Sequence, residues 1–114
     1  MKRIFLAGAI ALTLILLLAS LSLRASEAAA ALGPHWLSHL VSFGALAFAW
    51  ALGMPRVPTL IVALAVVAFG FAHEAIEIVG HAHGYELHDA IMDGVGAAGG
   101  ALLACLAKAW AALD

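Results

Sequence analysis

Charge is what this sequence has least of. Five basic and seven acidic residues make up 11% of the 114-residue chain, less than half the roughly 25% usual in soluble domains. A small soluble domain covers a modest core with a polar shell, and the residues for that shell are missing. A net charge of −2 without a basic stripe also removes the electrostatic footprint of a nucleic-acid binder. The single cysteine, Cys105, excludes an internal disulfide and carries no information about redox compartment. What is abundant is apolar surface: 66% hydrophobic residues and a mean hydropathy of +1.10. Those values exclude disorder and fit a chain whose solvent is the lipid bilayer.

A helix needs about 20 apolar residues to cross the hydrocarbon core. Stretches 4–23, 36–53, 57–79 and 89–112 meet or approach that length. Gly33-Pro34 precedes the second, Met54-Pro55 ends it, and Pro58 stands at a first-turn position of the third. The linkers are short, so the expected fold is all-α: a polytopic membrane protein, one domain over residues 1–114, built as a bundle of four transmembrane helices. The first stretch has a second reading as a secretory signal peptide, with Lys2-Arg3 ahead of it and small residues around Ala25-Ser26. Its apolar run of about 20 residues exceeds the usual 7–15 of such a signal, which favours an uncleaved helix. In the fourth, Gly96, Gly100 and Ala104 recur every four residues, a spacing that lets helix backbones approach closely in lipid.

Basic residues set the expected orientation. With a cytoplasmic N-terminus, Lys2, Arg3, Arg56 and Lys108 fall inside and only Arg24 outside. Both termini are then cytoplasmic. Trp50 and Trp110 sit near the inner interface, Trp36 and Tyr85 near the outer one.

This topology gathers every histidine, and every acid except Asp114, at the outer face. His35 and His39 open the second helix; His73, Glu74 and Glu77 close the third; Asp89 and Asp93 begin the fourth. His35/His39, His73/Glu77 and Asp89/Asp93 are each four apart, which places each pair on one face of its helix. Carboxylate and imidazole on facing helices suit zinc, iron or manganese. Ordinary explanations cover some of these residues. Glu86 and Asp89 suit a helix N-terminus, and His35, His81, His83 and His88 suit the headgroup region. His73, Glu74, Glu77 and Asp93 lie one to two turns inside apolar helices, where ionisable groups are rare and functional by default. His73-Glu74-x-x-Glu77 misses the second histidine of the H-E-x-x-H zinc-protease motif. Cys105, toward the inner half of its helix, is too far from any histidine for a cysteine hydrolase.

The order of these elements resembles the VanZ-like family of small bacterial membrane proteins over about residues 35–104. That pattern has a histidine followed by an aromatic and a leucine, matched by His39, Phe43 and Leu46. It continues with Glu-x-x-Gln, here Glu74-Ala75-Ile76-Glu77, and with Asp-x-x-x-Asn-x-x-Gly, here Asp89, Asp93 and Gly96. His83 stands in place of a loop arginine. Each departure exchanges a neutral or cationic group for a potential metal ligand, and loss of the arginine removes an anchor for anions. The resemblance implies a cell-envelope protein of the bacterial inner membrane, of a family associated with low-level glycopeptide resistance.

The expected site is therefore acidic and histidine-rich, with Glu74, Glu77 and Asp93 as inner ligands or acid–base groups and His39, His73 and Asp89 in support. It would take a divalent metal or another cation; a metal would supply Lewis-acid or hydrolytic chemistry toward an envelope substrate. Two other readings stand beside it. One is a non-catalytic accessory subunit, with a membrane protein partner or a second copy against its helices. The other is a pH sensor, because clustered histidines change charge between about pH 5 and 8.

Overall fold

The computed structural model describes residues 1–22, 27, 33–81 and 84–113. The expectations for Arg24, Ala25-Ser26, His83 and Asp114 lie outside the described residues. Among the described residues the protein is all-helical: α1 (Lys2–Leu21), α2 (His35–Gly53), α3 (Thr59–Gly80) and α4 (Leu87–Ala112). Each is long and apolar enough to span a membrane. At about 1.5 Å per residue, even the shortest approaches the roughly 30 Å of a hydrocarbon core. The molecule measures 49 × 23 × 23 Å.

Proline sets two of the boundaries. Pro34 and Pro58 are extended residues immediately before α2 and α3, and their carbonyls accept the first helical N–H groups, from Leu37 and Ser38 and from Ile61 and Val62. Pro58 thus precedes α3 rather than sitting within its first turn. At the other end of α2, Met54 leaves the helical region because Pro55 follows it.

Successive helices run antiparallel. α2 and α3 touch each other; α1 packs on one side of this pair and α4 on the other, with the α2–α4 contact the most extensive. Small residues make that contact possible. A Cβ on Gly96 would run into the Leu40 carbonyl and one on Gly100 into that of Gly44, so the two backbones meet directly. Gly96, Gly100 and Ala104 are all buried there.

The core is correspondingly slight: Phe43, Leu46, Ala47, Ala51, Val62, Val66, Ala97 and Ala104. Apart from Leu46, the large aliphatic side chains lie mostly outside it. Ile4, Leu14, Leu18, Leu60, Leu64, Leu102 and Leu106 are all more than half exposed. In water that surface would aggregate; against lipid tails it is the stable arrangement, with small residues left to pack helix on helix. Trp50 is drawn into this packing more than an interfacial belt residue would be. Its indole N–H donates to the Thr13 hydroxyl at 3.1 Å and ties α2 to α1.

A buried histidine–carboxylate chamber

One end of the bundle holds most of its described ionisable groups. α2 supplies His39, the last two turns of α3 supply His73, Glu74 and Glu77, and the first two turns of α4 supply Asp89 and Asp93. The structure brings all six together and buries them: Glu74 and Asp93 are 0% exposed, and none of the six is more than 7% exposed. Glu74 and Asp93 each lie six residues from their helix ends, about 9 Å along the axis. A short carboxylate cannot reach back to headgroups from that depth.

The surrounding residues explain how the polar groups fit. Gly70 faces Asp93, and a Cβ there would come within 2.9 Å of the Asp93 Cβ; α3 omits a side chain where α4 inserts one. Phe43 and Phe69, one turn deeper than His39 and His73, form an aromatic floor. The Phe43 ring stacks with His39 at 6.5 Å and meets His73 edge-on at 5.6 Å. Phe69 closes the other side of His73, with ring centres 6.3 Å apart.

Hydrogen bonds account for only the outer part of the chamber. His39 Nδ1 donates to Asp93 Oδ1 at 2.6 Å, because a carboxylate can only accept. His35 Nε2 donates to Asp89 Oδ2 at 2.8 Å, and it lies 3.2 Å from His39 Nε2. His35, whose side chain is 50% exposed, therefore stands at the mouth. Glu86, with its carboxylate 3.8 Å from His35, stands just outside it.

Deeper in, five buried atoms have no hydrogen-bond partner among the described residues: both ring nitrogens of His73, both carboxylate oxygens of Glu74, and Asp93 Oδ2. Leaving one such atom unsatisfied costs about 1–3 kcal/mol, and an isolated buried carboxylate costs far more. Among the described residues, the close charge partners of these carboxylates are histidines alone; no lysine or arginine lies within 4 Å of them. Four sets of ligand-type atoms among the described residues are near enough to share an ion: His39/Glu74/Asp93, His73/Glu74/Glu77, His35/His39/Asp89 and Glu74/Glu86/Asp89.

Two groups belong with this site although their positions along the chain have ordinary explanations. His35 is tied to Asp89 rather than left in the headgroup region, and its i, i+4 spacing from His39 was the available signal. His81 is buried and donates from Nε2 to the Ala19 carbonyl at 2.8 Å, joining the end of α3 to α1. That contact depends on how α1 docks, which no local pattern encodes. Cys105 is exposed, on the stretch of α4 remote from the chamber. No protein-family profile, curated protein or solved structure matches this chain, so its function has to be argued from the chamber itself.

Proposed function

We propose that this is an integral membrane protein whose histidine–carboxylate chamber binds a divalent cation. The observation that carries the reading is the set of buried His73, Glu74 and Asp93 atoms that, among the described residues, have no hydrogen-bond partner and no lysine or arginine within 4 Å. Imidazole nitrogen and carboxylate oxygen are a donor set for zinc, iron or manganese, and a cation gives these atoms the partner that the fold withholds. Facing helices of a bundle are a suitable frame for such a site. His35 and Glu86 at the mouth offer an ion its first ligands.

We further place the protein in the inner membrane of a bacterial cell envelope, as a VanZ-like protein with both termini in the cytoplasm. The support is the clustering of Lys2, Arg3, Arg56 and Lys108 away from the chamber, and the VanZ-like pattern itself. His39, Glu74, Glu77, Asp89 and Asp93, which carry that pattern, are the chamber's own residues.

The test is metal analysis of the detergent-purified protein beside a Glu77→Ala/Asp93→Ala double variant. Near-stoichiometric metal in the wild type that disappears in the variant is the expected result. No metal in either protein would overturn the reading and leave a self-paired polar cluster.

A further inference from the structure

The chamber's geometry has a single hub. Glu74 belongs to three of the ligand sets. One, with Glu86 and Asp89, lies toward the mouth; the two deeper sets pair Glu74 with His39 and Asp93 and with His73 and Glu77. The same oxygen, Oε1, lies 3.7 Å from His39 Nδ1 and 3.8 Å from His73 Nδ1. Two imidazoles on different helices therefore approach one carboxylate oxygen. Their ring centres are 6.1 Å apart, a separation that leaves room for two ions at the roughly 3.5–4 Å usual in two-metal sites.

Beyond Glu74 the two sets share no residue. His73 Nδ1 is 3.7 Å from Glu77 Oε1 on one side, and His39 Nδ1 is bonded to Asp93 Oδ1 on the other. The proton on His39 Nδ1 sits where an ion would take its lone pair. The opposite nitrogen, Nε2, lies 3.6 Å from Asp89 Oδ2. That is the outer carboxylate that orients a metal-bound histidine through its second nitrogen. Charge leads to the same number. Glu74, Glu77, Asp89 and Asp93 bring four carboxylates into one buried volume. One divalent ion neutralises half of that charge, and two neutralise all of it.

We infer that the chamber holds two divalent cations bridged by the Glu74 carboxylate, one completed by His73 and Glu77 and the other by His39 and Asp93. The inference rests on the cation-binding reading above and adds the number of ions and the bridge between them. It also assigns Asp89 and His35 to the support of His39 rather than to either ion.

The experiment is a manganese titration of the full-length protein in detergent, after chelator treatment, followed by equilibrium dialysis and electron paramagnetic resonance. The expected result is two Mn²⁺ per chain with an exchange-coupled spectrum. Glu77→Gln and Asp93→Asn should each keep one ion and lose the coupling, from opposite sides, and Glu74→Gln should weaken both sites. One ion per chain in the wild type would overturn the pair while leaving the cation-binding reading intact. No bound ion would overturn both. Two uncoupled ions, or two coupled ions that persist in Glu74→Gln, would overturn the bridge. The wild-type count and spectrum decide the matter even if a variant fails to fold.

Discussion

At one end of the bundle, Lys2, Arg3 and Arg56 line an open cleft of about 310 Å³ against Leu6, Gly53 and Met54. All three cations are exposed. At the other end, His39, His73, Glu74, Glu77, Asp89 and Asp93 are turned inward between three helices and shielded by Phe43 and Phe69. Both ends carry ionisable groups, but only one has to solve a desolvation problem. Lysine and arginine have long apolar stems that carry the charge out to water from a helix end. Aspartate, glutamate and histidine six residues inside a helix have no such reach, so each must find a partner in the protein or bind one. The basic end therefore tells about orientation, and the acidic end about function.

The largest expected effect comes from separating the helices that build the chamber. Gly100→Leu drives a side chain into the Gly44 backbone, and should cost about 3 kcal/mol or more by overpacking. Thermal unfolding in detergent and metal content should fall together. A stable variant with unchanged metal would show that the chamber does not depend on the α2–α4 contact.

Metal removal comes next. Chelation should lower wild-type stability by about 2.7 kcal/mol for each ion lost when the free ion had stood at a hundred times its Kd. It should lower the stability of Glu74→Gln by less, because both sites are weakened in that variant. Without metal, Glu74→Gln should unfold at a higher temperature than the wild type, because an amide is far less costly to bury than a carboxylate. A metal-free wild type more stable than this variant would mean that the histidines alone satisfy Glu74.

A smaller effect is expected midway along the bundle. Trp50→Phe removes the bond to Thr13 and should cost about 0.6 kcal/mol, the average for hydrogen bonds between membrane helices. Its unfolding temperature should drop slightly with no change in metal content. Smallest of all, Arg56→Ala should alter neither unfolding nor metal binding, since its charge is already solvated. A loss of stability there as large as that caused by altering the chamber would erase the contrast between the two ends.

Much of this was legible along the chain. Four apolar runs punctuated by Pro34, Pro55 and Pro58 marked the helices to within about two residues, because a bilayer demands long uninterrupted apolar segments. The depth of His73, Glu74, Glu77 and Asp93 within those runs was enough to set them apart. Less legible were the partners. The headgroup explanation for His35 carried no hint of its bond to Asp89, and no pattern along the chain pairs Gly70 with Asp93. Phe43 was visible as a family position, but its place beneath both histidines was not.

The sequence by itself determined the solvent, the number of helices and the clustering of ionisable residues at one end, because these follow from hydropathy and spacing along one dimension. Only the tertiary structure decided which atoms face one another. It placed Glu74 Oε1 near two histidines of different helices and left its carboxylate without a hydrogen-bond donor among the described residues. The physical reason is that helix rotation and close approach are set by glycine contacts between helices, at Gly44, Gly70, Gly96 and Gly100, and those contacts exist only once the helices pack.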